Sequence, residues 1–237
     1  MYPGKYDGDR IFAYSTLTFM FSVFFAPITE EIIYRLWAYG KNLQLQFSFF
    51  VTFVLYLLSY IIQDFVFDYN SLIPKYFPGN SININNILTV VVKNCVLILI
   101  GLIIYLVLKS TSFTIPTFFT SLTQSQYTFY FIILSFAFLH LYQTKLVTNH
   151  ILDYIFYFVG SYIITRHARD YGIFYAILIH IANNAISVFA GAVEARTVSK
   201  NAITNESLIQ YLLIATIFVV IYLAIFLKAK PRTISPA

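Results

Sequence analysis

The chain has 237 residues, 59% of them hydrophobic and 11% charged, with 25 Phe and 20 Tyr. Average soluble domains carry roughly 25% charged residues, so the composition excludes a soluble fold and predicts an integral membrane protein. The net charge of +5 is spread over the ends of apolar runs and lacks the clustered basic face that nucleic-acid binding needs. The single Cys95 excludes a disulfide framework or a Cys-rich metal site.

A spanning helix needs about 20 apolar residues. The runs that qualify, in chain order, are Ile11–Ile28, Leu45–Gln63, Ile87–Leu108, Tyr127–Tyr142, Ile151–Thr165, Gly172–Val193 and Leu208–Leu227. Tyr127–Tyr142 and Ile151–Thr165 are short for a span. The opening MYPGKYDGDR mixes acidic and basic residues, and no small-x-small site follows the first apolar run, so no cleavable signal peptide is expected. Between Ile28 and Leu45 lies a segment, TEEIIYRLWAYGKN, that reads as a helix capped by Thr29, with its two glutamates in the first turn where the dipole favours negative charge. Cys95 reads as a small apolar residue of a buried helix.

The connections are polar. Asp64–Asn86, with Pro74, Pro78 and Gly79, is the longest loop; Lys109–Gln126 is rich in Ser and Thr; Glu194–Glu206 reads as a hairpin between the last two spans. Without internal repeats or a low-complexity linker, one domain over residues 1–237 is expected. The fold class is all-α, a polytopic membrane bundle of about seven to eight transmembrane helices around a polar intramembrane cavity. Lys228, Lys230 and Arg232 favour a cytoplasmic C-terminus, and alternation backwards places Arg166, Arg169 and Lys109 inside.

Three polar motifs interrupt the apolar helices. The first is Glu30-Glu31-x-x-x-Arg35. Ionisable groups at membrane depth cost roughly 2.5–3.5 kcal/mol each on insertion scales and are functional candidates by default. Glu31 and Arg35 are four apart on one helical face, acid before base, the better orientation for pairing. Glu30 is turned by about 100° from Glu31, leaving it to face a cavity. The second motif is Phe136-x-x-x-His140, and the third is His180-x-x-x-Asn184, which stacks imidazole and amide on one face.

A carboxylate and a histidine can hold and deprotonate a water, and a histidine with an amide can donate to a developing oxyanion. His, His and Glu also form a catalytic zinc set. There is no His-Glu-x-x-His helix, no Gly-x-Ser-x-Gly elbow and no intramembrane aspartate pair. Asp64 and Asp68 read as solvated end charges, and His150 and His167 as interfacial.

The order Glu-Glu-x-x-x-Arg, Phe-x-x-x-His, His-x-x-x-Asn resembles the CPBP family, the CAAX protease and bacteriocin-processing proteins, also called the Abi family. APITEEIIYR is similar to that family's Pro-Ile-x-Glu-Glu-x-x-x-Arg opening. The run from Gly160 through TRHARDYGIFYAILIHIANNA is similar to its stretch before and through the His-Asn helix. The likeness covers roughly residues 15–190. Tyr34, where the family commonly has Phe, and Trp37, near a common Gly, depart from the pattern.

The resemblance implies an intramembrane endopeptidase cleaving a peptide or a prenylated protein. Glu30 would activate the attacking water, Glu31 would orient, Arg35 would support the pair, His140 would share the water, and His180 with Asn184 would stabilise the oxyanion. Two forms of the site follow, one metal-free and one with a zinc ion held by Glu30, His140 and His180. The surplus of Ile, Phe, Tyr, Asn and Lys fits an AT-rich bacterial coding genome, which favours bacteriocin or signal-peptide processing, or self-immunity, in a cell membrane. A non-catalytic membrane immunity or partner protein that keeps the motif residues as structure is the competing reading, and a proton-coupled transporter is a third.

Overall fold

The structure is a computed structural model that describes residues 20–63, 82–111, 113–143, 151–198 and 204–231. Among these there are eight α-helices and no strand. They are α1 (Ala26–Tyr39), preceded without a break by a π-helical turn over Phe21–Phe25, α2 (Leu43–Gln63), α3 (Ile82–Ser110) and α4 (Thr117–Gln124). They continue with α5 (Gln126–Gln143), α6 (Ile151–Asp170), α7 (Ile173–Val198) and α8 (Asn205–Phe226). Among the described residues, three helices are long and apolar enough to cross a membrane, over Val90–Ser110, Ile173–Ala190 and Asn205–Phe226. Leu43–Ser59 and Gln126–His140 are shorter apolar helices. Leu99, Leu106, Ile209, Leu213 and Val220 are each more than half exposed, an apolar surface on a scale that soluble monomers rarely present and that hydrocarbon accommodates.

Several boundaries differ from expectation, each for a local reason. The break expected before Thr29 does not exist. Thr29 is inside a continuous helix, its hydroxyl placed to donate to the Phe25 or Ala26 carbonyl at 3.0 and 3.2 Å, and it caps nothing. What looked like a boundary is Pro27. Proline has no N–H to give and its ring crowds the carbonyl four residues back. The turn before it widens accordingly: Ala26 gives its N–H to Phe21, a five-residue closure. Proline and π-turns are the usual causes of helix distortion, and π-turns cluster at functional sites.

Within the expected Lys109–Gln126 loop, Pro116 precedes a short helix, α4, which buries Phe119. The expected hairpin from Glu194 is helical as far as Val198, and α6 continues past Thr165 to Asp170. Cys95 is exposed, not buried. The Asp64, Asp68 and His150 readings, together with Arg232, fall outside the described residues.

The chain divides into two compact units. One gathers the described parts of residues 1–29, 59–96 and 178–228. There Phe24 meets Phe218 edge-on at 5.0 Å, and the Asn94 amide donates to Thr29 Oγ1 at 3.0 Å. The other gathers residues 30–58 and 97–177 with the tail after 228. In it α5 packs along α6: Ser161 Oγ donates to the Ile133 carbonyl at 3.2 Å, and Phe129 and Phe138 meet Tyr162 and Phe158 edge-on. Gly101 of α3 lies where a Cβ would come 2.7 Å from Thr52 Oγ1 and 3.1 Å from the Phe49 ring, the small-residue packing that lets membrane helices approach closely.

Candidate functional site

Glu31 and Arg35 are both fully buried, and Arg35 Nη1 donates to Glu31 Oε1 at 2.6 Å. Arg35 Nε donates to Thr165 Oγ1 of α6 at 3.1 Å, and the guanidinium lies 4.6 Å from the centroid of the Phe136 ring. A buried ion pair survives desolvation only with such additional partners. The pair therefore clamps α1 to α5 and α6. Arg35 Nη2 is buried with no hydrogen-bond partner among the described residues.

Phe136 joins this clamp to the second motif. Its ring is 4.1 Å from the His140 ring and 5.1 Å from Tyr34. Tyr34 and Trp37 are buried and pack on Phe53. Of the two departures from the family pattern, Tyr34 thus touches the aromatic wall behind His140.

Glu30 faces His140: Nε2 is 3.5 Å from Glu30 Oε2, with the side chains 20% and 18% exposed. That exposure lets water reach both. His140 Nδ1 is 2.9 Å from the Phe136 carbonyl. A carbonyl only accepts, so Nδ1 carries a proton and donates it. Neutral His140 then presents a bare Nε2 lone pair to a carboxylate, and two acceptors in contact repel. A proton between them resolves the conflict, and so does a water donating to both. A water bridging two acceptors at hydrogen-bond distance and tetrahedral angle spans about 4.4 Å. At 3.5 Å the pair is too close for that bridge, and an opening of about 1 Å makes room for the water.

Within one unit the structure brings together Glu30 with His140 and Glu31 with Arg35; His180 and Asn184 belong to the other unit. His180 is buried. Asn184 Nδ2 donates to the Ser22 carbonyl at 2.9 Å. Ser22 lies in the π-turn, where Ala26 gives its N–H to Phe21 and Pro27 has none, so the Ser22 carbonyl has no donor at α or π spacing. Asn184 supplies it. One amide hydrogen of Asn184 is thereby committed to backbone repair, and the second remains for other work.

A catalytic zinc site uses three or more protein donors. Glu30 and His140 are two, and among the described residues no group of three His, Cys, Asp or Glu stands in metal-holding range. A zinc ion on Glu30, His140 and His180 rests on the motif order alone.

Two contributors escaped the sequence reading. Thr165 reads as an unremarked hydroxyl in a span. Asn94, in VVKNCVLILIG, carried a usable signal: an amide inside an apolar run must find a partner or lose stability. Comparison with family models, with curated proteins and with solved structures gives no match to this chain.

Proposed function

We propose that the chain is a multi-pass intramembrane endopeptidase of the CPBP type, hydrolysing a peptide bond with water activated by Glu30 and His140. The observation that carries this reading is the Glu30–His140 pair, with Nδ1 of the imidazole anchored to a backbone carbonyl. At about 1.5 Å rise per residue, Glu30 lies about 13 Å along α1 from its end at Tyr39. A carboxylate held 3.5 Å from an imidazole whose other nitrogen is anchored to a backbone carbonyl is a general base matched to a positioned water.

In the proposed step, water enters between Glu30 and His140. Glu30 takes its proton while the oxygen attacks the scissile carbonyl carbon, and the proton passes to the departing amine. His140, fixed by Phe136, holds the water on line and relays the proton. Glu31 stays paired with Arg35 and keeps α1 in register with α5 and α6. The sequence resemblance adds His180 and Asn184 as donors to the oxyanion and a helical bundle of seven to eight spans around the cavity; that part rests on the motif order. The substrate class is a peptide or a lipidated protein end near the membrane, in keeping with bacteriocin or signal-peptide processing.

The test is purified protein in proteoliposomes with a pool of membrane-associated peptides, comparing wild type with Glu30→Ala, His140→Ala and His180→Ala after each variant is shown to be folded. Cleavage by wild type with loss in all three supports the reading. Undiminished cleavage in all three sinks it.

A further inference from the structure

Away from the glutamates, the chain turns from α1 into α2 through Gly40 and Lys41, and from α6 into α7 through Tyr171 and Gly172. These two turns, both within one compact unit, flank a cavity of about 380 Å³ whose walls include Leu36, Tyr39, Lys41, Tyr171, Ile173 and Phe174. That volume is within the ordinary range for small-molecule sites, about 300–1,000 Å³. Leu36, the lining residue of α1 nearest Glu30, lies six residues, about 9 Å, along the helix from it, and neither Glu30 nor His140 is among the cavity's lining residues, so the cavity is separate from the proposed catalytic pair.

Its chemistry is two-sided. The walls are mostly apolar, and among the described residues lining it Lys41 is the one formally charged. Arg166 and Arg169, in the last turns of α6 before Tyr171, share a single carboxylate, Asp170, at 3.3 and 2.8 Å, so with Lys41 the described residues of these two turns bring three cations against one anion. The cavity also has a defined depth. Ile173 opens a candidate span, Ile173–Ala190, which places the cavity where that span meets the headgroups. Tyr39 and Tyr171 are the amphipathic rings that favour this level, and the basic excess favours the cytoplasmic leaflet, whose lipids carry the negative charge. Phe174 is 59% exposed and gives the cavity an apolar flank toward the bilayer.

We propose that this cavity seats the headgroup and glycerol of an anionic phospholipid, with its phosphate against the Lys41 ammonium and its acyl chains leaving past Phe174. The volume admits a headgroup and not two acyl chains, so an apolar exit is required, and Phe174 provides it. A free phosphate would gain from Lys41 but nothing from Leu36, Ile173 and Phe174, so the lipid is the occupant that uses the whole lining. The site would bind lipid whether or not Glu30 and His140 hydrolyse anything.

The experiment measures lipid bound to the full-length protein in detergent by native mass spectrometry, titrating phosphatidylglycerol and phosphatidylcholine separately, with glycerol phosphate as a competitor. Wild type is expected to prefer phosphatidylglycerol. Lys41→Gln should reduce that preference about fivefold, the contribution of one basic residue near a lipid headgroup. Lys41→Arg should keep it, Lys230→Gln should leave it unchanged, and Phe174→Ala should weaken both lipids alike. Glycerol phosphate should compete poorly. Equal binding of the two lipids by wild type, or the same preference in Lys41→Gln as in Lys230→Gln, overturns the proposal. Displacement of the lipid by glycerol phosphate at matched concentration overturns it in favour of a simple anion site.

Discussion

Replacing Arg35 by methionine keeps most of the side-chain volume and removes three interactions at once. The ion pair to Glu31 is 2.6 Å long between groups with no exposure, and breaking such a pair on one side costs about 3–5 kcal/mol because the other charge is stranded. The bond to Thr165 at 3.1 Å involves a charged donor and is worth about 1.5–3 kcal/mol. The contact over Phe136 at 4.6 Å adds about 0.5–2 kcal/mol. These losses overlap, so the expected total stays near 3–5 kcal/mol. Glu31→Leu alone should cost a similar amount by stranding Arg35. The double variant Glu31→Leu/Arg35→Met strands nothing, and its cost should fall short of the sum of the singles by at least about 2 kcal/mol. Equilibrium unfolding in mixed micelles measures all three. Single variants within about 1 kcal/mol of wild type, or a double variant that is simply additive, would refute the clamp.

Other expectations follow from the same contacts and use the same unfolding assay. Asn184→Leu should cost about 1–3 kcal/mol by orphaning the Ser22 carbonyl. That cost should shrink in a Pro27→Ala background, where residue 27 regains an N–H and the π-turn can relax. Asn94→Leu and Thr29→Val should each cost about 1 kcal/mol and together little more than either, since they share one hydrogen bond. Gly101→Ala should destabilise by about 1–3 kcal/mol through overpacking against Thr52 and Phe49. At Gly160 a Cβ would meet nothing within 4 Å, so Gly160→Ala should stabilise by up to about 1 kcal/mol through helix propensity.

How legible this was from the sequence depended on whether a property is local. Helical identity was readable because apolar runs of about 20 residues have few other outcomes. The spacing of Glu31 and Arg35 placed them on one face, where the structure also has them. Helix ends were less readable. Thr29 next to two glutamates has the composition of a cap, yet Pro27 two residues earlier distorts the helix without ending it. α4 was hidden because Ser and Thr dominate its segment, and only burial of Phe119 distinguishes it from a loop. Thr165 and Asn94 became visible only with the fold, because their partners Arg35 and Thr29 are distant in sequence. The exposure of Cys95 was equally beyond the sequence, since an apolar helix in a bilayer has no polar face to mark its outside.

Two adjacent carboxylates, Glu30 and Glu31, carry two different tasks, and one measurement separates them most directly. Purified wild type, Glu30→Gln and Glu31→Gln, each confirmed as folded, are compared for kcat/KM on a peptide that wild type cleaves in proteoliposomes. Removing a general base typically costs about 10²–10⁴ in rate. The prediction is a loss of that size in Glu30→Gln with unfolding stability close to wild type, and in Glu31→Gln a stability loss with cleavage retained by the folded fraction. Full cleavage by Glu30→Gln would contradict the claim that Glu30, opposite His140, activates the water.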